Sequence, residues 1–232
     1  MIRIGRIKNS NDRLTYENFT PIVVMTKCSK YASLSPYVLR DEDGNLVENI
    51  WHSSKIFEKV PAIKCPYSQY DRRVIWEWPE ETHIDENGLV KNEYWVWRAN
   101  LRKCPDPVRY PVDFHNRKNA VVSISDDNEL LSYVEARKKI YVTVYERLVV
   151  KQKQFLELVE RLKKGENLLI LEVDGPRQES LSYYMEKYSV KENFIEEGTI
   201  LATDENLDIM LNDAKHPYGH GYCLARALMK SL

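Results

Sequence analysis

"LLILEVDGP", residues 168–176, decides how the rest of the chain is read. Leu168–Val173 is a continuous apolar run, which predicts a central strand with both faces covered. Asp174-Gly175-Pro176 is turn chemistry and ends it. Just upstream, residues 152–164 have helical character and stop at Gly165 after Lys163-Lys164, a C-terminal signal. Further upstream, Ser125 reads as the N-cap of a helix whose first turn is Asp126, Asp127, Asn128 and Glu129, acids where the macrodipole favours them. Leu130, Val134, Ile140, Val144 and Leu148 then recur at roughly helical spacing. Downstream, residues 177–194 are polar with a tyrosine pair, Ile200–Ala202 is a short strand and residues 205–211 a short helix. Tyr222–Met229 forms a last helix behind Pro217-Tyr218-Gly219-His220-Gly221.

In the first half, residues 20–26 predict a buried strand and residues 37–40 another. Asp41–Asn45 is a Gly-containing turn. "NIWHSSKIFEKV", residues 49–60, reads as a helix. Residues 61–120 hold most of the prolines and every tryptophan except Trp51, and read as irregular loops over short helices, with Tyr94–Arg98 on one of them. The expected architecture is α+β: one domain over residues 1–232, a small central mixed sheet surrounded by helices.

Composition excludes several function classes. With 232 residues, 43% hydrophobic and 30% charged, the chain has the make-up of a globular protein. A formal charge of -1 gives no bulk attraction to nucleic acid or acidic membranes. No apolar run approaches the roughly 20 residues of a membrane span, and the opening Met-Ile-Arg-Ile-Gly-Arg is too polar for a leader. Cys28, Cys65, Cys104 and Cys223 are far apart and form no C-x-x-C pair, so they predict free thiols in a reducing, cytoplasmic compartment. Neither a metal site nor a cofactor is expected. His216 and His220 have a four-residue spacing, but Pro217 and Gly219 between them argue against one helix carrying both.

Two stretches carry candidate chemistry. Glu48, His52 and Lys55 fall on one face of the 49–60 helix reading, with a carboxylate, an imidazole and an amine in one stripe. In a cleft such a stripe can hold a sugar hydroxyl or phosphate and move a proton; on a wet surface it is a row of weak i,i+4 pairs. Gly219 and Gly221 flank His220 ahead of the last helix, where backbone N–H groups can approach an anion; the alternative is a turn needing positive φ. Asp174 follows the buried strand, a place for functional carboxylates and equally for turn caps. Asp213 reads as a cap of the glycine turn, and the stripe Tyr133, Arg137, Tyr141, Tyr145 as packing. No nucleophile elbow, P-loop, zincin or kinase motif is present.

"YASLSPYVLRDEDGNLVENIWHSSKIF", residues 31–57, resembles the N-terminal half of NADAR-type (YbiA-like) domains, with Val47-Glu48 and Lys55 at the family's spacing. "HPYGHGYCLARALM", residues 216–229, resembles that family's W-G-x-G turn and terminal helix, with Tyr218 in place of the tryptophan. "YVEARKKIYVTVYERLVV" and "LLILEVDGP" are closer to a group of uncharacterised phage and large-DNA-virus proteins. The resemblance implies an N-glycosidase-like hydrolase acting on the ribosyl N-glycosidic bond of a nucleotide or ADP-ribose-related small molecule, free or on nucleic acid. Glu48, Lys55 and Asp174 would be catalytic, and Trp51, His52, Tyr218, Gly219, His220 and Gly221 would bind substrate. Such a bond breaks through an oxocarbenium-like transition state, which a carboxylate stabilises; a lysine can hold a ribose oxygen or capture the opened sugar as a Schiff base. On this reading Glu48, Lys55, Asp174 and the 219–221 turn line one pocket, while Ile50 and Phe57 are buried. Two alternatives stand beside it. One is a non-catalytic nucleotide-binding protein. The other is a nucleic-acid-binding protein using the basic clusters Arg72-Arg73, Arg98–Lys103, Arg117-Lys118 and Arg137–Lys139 among their aromatic neighbours.

Overall fold

The 168–172 strand lies in the middle of a mixed sheet, where its apolar run places it. A computed structural model describes residues 1–8, 12–25, 30–59, 63–68, 71–78, 80–108 and 120–232. In chain order the strands are β1 (Ile2–Arg6), β2 (Thr20–Val23), β3 (Lys55–Phe57), β4 (Ile63–Ser68), β5 (Asp71–Trp78), β6 (Ala120–Ile124), β7 (Leu130–Leu131), β8 (Leu168–Glu172) and β9 (Thr199–Leu201). The helices are α1 (Val47–Ser53), α2 (Asn92–Lys103), α3 (Tyr133–Ala136), α4 (Thr143–Val149), α5 (Lys153–Lys163), α6 (Leu181–Tyr188), α7 (Asp204–Asn212) and α8 (His220–Lys230), with π-helical turns at Arg137–Val142. The class is α+β. The chain divides into two compact units, Met1–Leu39 with Val142–Leu232, and Arg40–Tyr141.

The first unit is built on a four-stranded sheet of order β2-β8-β1-β9. β8 runs parallel to both neighbours, and β9 closes the edge antiparallel to β1. Every residue of β8 is buried, as a strand paired on both sides and covered on both faces requires. α8 packs on β1 and β8, and α4, α5 and α7 pack on α8. α8 is buried on several sides, and its buried residues include the small Gly221, Cys223, Ala225 and Ala227. α5 ends as its sequence predicts: Gly165 follows at φ 85°, a conformation in which a side chain is strained. The short strand at 199–201 and the helices at 204–212 and 220–230 also match the sequence reading within one or two residues.

The second unit holds the antiparallel sheet β3-β6-β7 and the hairpin β4-β5. α1 packs on α2 and β3, and α3 packs on β6 and β7. Its core gathers Ile56, Phe57, Tyr94, Trp97, Leu101 and Ile124. His83 is fully buried among these rings, 4.7 Å from Trp97. Its Nδ1 accepts the Phe57 N–H at 3.2 Å, so the proton sits on Nε2, which faces Glu81 at 3.2 Å. Burial, and secondarily Lys91, lower this histidine to about 4, so it is a neutral core residue.

Four sequence expectations are corrected here. Residues 49–60 are not one helix: α1 stops at Ser53, because the Ser53 and Ser54 hydroxyls donate back to the carbonyls of Ile50 (3.1 Å) and Trp51 (2.8 Å). The chain then extends as β3, with Lys55, Ile56 and Phe57 paired to β6. Residues 37–40 form no strand; Tyr37 and Val38 are in a turn, and Arg40 makes only an isolated bridge to Leu46 across the Asp41–Asn45 turn. Ser125 caps no helix. Residues 125–129 are the turn between β6 and β7, with Asn128 at φ 63°, and Asp126 binds Arg98 and Arg102 (2.8 Å to the latter). The helix start is Ser132, whose Oγ accepts the Glu135 N–H while Glu135 accepts the Ser132 N–H at 2.9 Å. Residues 63–68 and 71–78 pair as antiparallel strands rather than irregular loop, whereas Tyr94–Arg98 does lie on a helix, α2. Among the described residues no helix is long and apolar enough to cross a membrane. Cys104 and Cys223 form no disulfide; the Cys28 expectation and the side chains of Cys65, Arg72, Arg73, Arg117 and Lys118 lie outside what is described.

One fully buried side chain, Asn49, closes the loop after α2. Its Nδ2 donates to the carbonyls of Cys104 and Asp106, each at 3.0 Å, and its Oδ1 accepts the Val108 N–H at 2.8 Å. Asn49→Ala strands these backbone groups, each costing roughly 1–3 kcal/mol when buried without a partner. Urea denaturation is expected to show a loss of about 3 kcal/mol or more; a loss below about 0.5 kcal/mol, the range of ordinary surface changes, refutes the assignment.

Candidate functional site

Glu48, Trp51, His52 and Lys55 all lie in the Arg40–Tyr141 unit, and the structure brings them together. Glu48 enters the first turn of α1 and His52 follows one turn later on the same face. His52 Nε2 lies 3.0 Å from Glu48 Oε1, and His52 Nδ1 lies 3.3 Å from Lys55 Nζ. Lys55 reaches this place from β3 and not from the helix, because the helix-to-strand turn at Ser53-Ser54 folds its amine back. Its ammonium also sits 4.6 Å from the Trp51 ring centre, a cation–π contact. Trp51 in turn lies 5.4 Å from Tyr141 and 6.0 Å from Tyr133, ring centre to ring centre. The solvated-stripe alternative fails on exposure: Glu48 is 5%, His52 6% and Lys55 9% exposed.

Protons in this trio can be counted. An ammonium donates to His52 Nδ1, which leaves the imidazole proton on Nε2, donated to Glu48. Carboxylate, neutral imidazole and ammonium then sum to zero charge, which makes their burial tolerable. Passing one proton along each bond, from Lys55 to His52 and from His52 to Glu48, yields a neutral amine and a neutral acid without exposing a charge.

Asp174, Tyr218, Gly219, His220 and Gly221 lie in the other unit. The residue that organises them, Glu172, was not singled out from the sequence. It occupies the last position of β8 and is 1% exposed. Its Oε1 accepts the Gly221 N–H at 2.9 Å, and His220 Nδ1 lies 3.2 Å from Oε2. The group seated at the start of α8 is thus the protein's own carboxyl. It also explains both glycines: a Cβ on Gly219 would stand 2.2 Å from Oε2, and one on Gly221 2.7 Å from Oε1. His220 Nε2 lies 2.9 Å from the Val24 carbonyl oxygen, so it carries a proton. The Nδ1 contact then needs one more proton, on the carboxyl or on the imidazole, and the pair holds it jointly. Burial above all, and then Asp174, push the Glu172 carboxyl well above the usual range, against the Gly221 and Tyr222 N–H groups. Tyr218 is buried and stacks on Tyr222 at 5.0 Å. Asp174 is half-buried on the turn after β8.

Asp213, expected as a turn cap, is fully buried at the centre of a polar knot. It accepts from Tyr183 (2.7 Å), Tyr184 (2.9 Å) and His216 Nδ1 (2.6 Å), besides the Lys215 N–H at 3.1 Å. Burial would raise this carboxyl, and those hydrogen bonds outweigh it, holding it at about 2. Among the described residues no group of three or more His, Cys, Asp or Glu side chains could hold a metal ion. Of the basic clusters, Arg98 and Arg102 are engaged by Asp126, Arg137 is 1% exposed and lies over the Tyr133 ring, and Lys139 pairs with Glu129 at 2.6 Å. No protein-family model, curated protein or solved structure matches the chain.

One signal in the sequence pointed to Glu172: a carboxylate inside an otherwise apolar run must find a partner when the strand is buried. Because its folded carboxyl is raised, the stability it contributes is complete below the ordinary glutamate value of 4.5 and falls as pH rises through the folded value. Glu172→Gln mimics the protonated carboxyl and cannot ionise. Above pH 4.5 the variant is expected to gain on the wild type steadily as pH rises, read by urea unfolding at pH 5, 7 and 9. A constant difference across that range contradicts the shared-proton reading. Gly219→Ala is expected to cost about 1–3 kcal/mol by overpacking, and less in a Glu172→Ala background, since the clash partner is gone.

Proposed function

We propose that the protein is an N-glycosidase-like hydrolase of ribosyl N-glycosidic bonds in nucleotide or ADP-ribose-related substrates. The observation that carries this reading is the buried Glu48–His52–Lys55 proton chain beside Trp51. Hydrolysis of such a bond delivers hydroxide to the anomeric carbon and a proton to the departing nitrogen. Glu48 supplies the negative charge that stabilises the oxocarbenium-like cation. His52 orients that carboxylate and carries the proton between it and Lys55. Lys55 holds a ribose or phosphate oxygen, or in its neutral form adds to the opened sugar with loss of water. Trp51 offers an indole surface for a base or ribose. The NADAR-type resemblance supports the same residues by position: Val47-Glu48 and Lys55 keep the family's spacing.

A non-catalytic nucleotide-binding protein is the second reading. What favours it is the degree of burial of the same trio, since side chains less than a tenth exposed meet a substrate only if something moves.

The test is incubation with DNA carrying ADP-ribosylated guanine, with ADP-ribose adducts and with NAD, followed by chromatography of the products. Turnover of one of these is expected, and Glu48→Gln should lower kcat by about 10²–10⁴-fold, the usual scale for a proton-transfer group. Borohydride reduction during turnover reads whether Lys55 forms the Schiff base. Unchanged ligand together with a raised melting temperature assigns the binding reading. No turnover and no shift with any of them ends both.

A further inference from the structure

We propose that the Tyr133 ring is a place-holder for the flat base of a nucleotide: it lies against Trp51 and Arg137, and it swings aside when a base takes its place there. The proposal rests on the reading of the Glu48–His52–Lys55 group as the nucleotide site, and it names the part that moves to admit a ligand. All of these residues lie in the Arg40–Tyr141 unit. Trp51, whose ring the Lys55 ammonium meets at 4.6 Å, is half-buried. Two rings lie against it. Tyr141, at 5.4 Å, is buried, whereas Tyr133, at 6.0 Å, is 45% exposed.

The Tyr133 side chain is held lightly and its backbone firmly. Its ring meets the Trp51 indole and, at 4.7 Å, the Arg137 guanidinium, and its hydroxyl makes no hydrogen bond among the described residues. Both contacts are of the modest kind that aromatic pairs and cations make. Rotation of the ring into solvent therefore breaks no hydrogen bond, and exposed side chains change rotamer quickly. The chain beneath it stays in place, because Ser132 and Glu135 close a capping box around Tyr133 and α3 packs on β6 and β7. Arg137 follows one turn later on the same side, is buried, and begins the π-helical turns, a local geometry frequent at functional sites. With the phenol swung out, an indole and a planar guanidinium remain where it lay. Both stack on aromatic rings. The flat ring of a base reproduces the two contacts that Tyr133 gives up; a ribose or a phosphate alone reproduces neither.

Adenosine and guanosine monophosphate are titrated into the full chain, with ribose 5-phosphate as the arm without a base. Calorimetry reads affinity, and the Trp51 indole N–H signal, assigned with Trp51→Phe, reads the place. Saturable binding of at least one nucleotide is expected, with ribose 5-phosphate about tenfold weaker, the scale of one lost base stack. A closed ring lowers the apparent affinity by the fraction of molecules that are open. Tyr133→Ala should therefore tighten nucleotide binding several-fold, whereas removing a fixed stacking wall would weaken it. Arg137→Lys keeps the charge and loses the plane, and should weaken binding about tenfold. Trp95→Ala, which removes an exposed tryptophan on α2, should leave it unchanged. Equal binding of ribose 5-phosphate, no binding of either nucleotide, weaker binding by Tyr133→Ala, or a loss in Trp95→Ala equal to that in Arg137→Lys each overturns the proposal. The hydrolase reading fails separately. Turnover of an ADP-ribosyl substrate with KM unchanged in Tyr133→Ala keeps the hydrolase and removes the place-holder, and tighter nucleotide binding by Tyr133→Ala without any turnover does the reverse.

Discussion

The first unit depends on one carboxyl group in an expensive place. Glu172 ends the central strand, where both faces are covered, and no solvent reaches it. The start of α8 receives it: one backbone N–H at 2.9 Å, the positive end of the helix dipole, and the His220 ring. This seat dictates the local sequence. Gly219 and Gly221 must lack side chains because the carboxyl oxygens occupy that space. His220 donates from Nε2 to the Val24 carbonyl directly after β2 and faces Glu172 through Nδ1, so β2, β8 and α8 meet at one imidazole ring.

The second unit manages buried polarity differently, by neutral sums. Glu48, His52 and Lys55 cancel to zero charge along two hydrogen bonds. His83 stays uncharged among aromatic rings, and Asn49 spends its whole amide on backbone groups. Each arrangement satisfies the rule that buried polar groups be paired, and the trio joins three titratable groups in one chain of contacts. For that reason it, and not the histidine or the amide, carries the functional proposal. Among the described arginines read as a nucleic-acid face, Arg98 and Arg102 are engaged by a single aspartate on the β6–β7 turn and Arg137 is buried.

Periodicity and punctuation made much of the architecture legible. The α+β class, the central strand, the stop at Gly165, the short strand near 200 and the last two helices follow from apolar runs bounded by Gly, Pro and Lys signals, which are local. The placement of Glu48, His52 and Lys55 in one group also followed from spacing, although the geometry behind it differs. Sequence spacing put Lys55 on a helix; two serine hydroxyls turning back on their own carbonyls ended that helix early and made Lys55 part of a strand. Ser125 and Ser132 both carry N-cap chemistry, and what separates them is a pair of arginines on α2, distant in sequence, that claim Asp126.

By itself, then, the sequence determined the elements whose cause lies within a few residues: apolar periodicity, caps and turns. Tertiary structure decided what each polar side chain meets, since hydrogen bonds and charge pairs join residues far apart in the chain. Glu172 and Gly221 are 49 positions apart, and Asn49 and Val108 are 59. A glutamate inside an apolar run and two glycines before a helix are separate local features until the strand and helix pack. Packing brings the carboxyl to the backbone N–H, and the energy of leaving either unpaired is what holds them there.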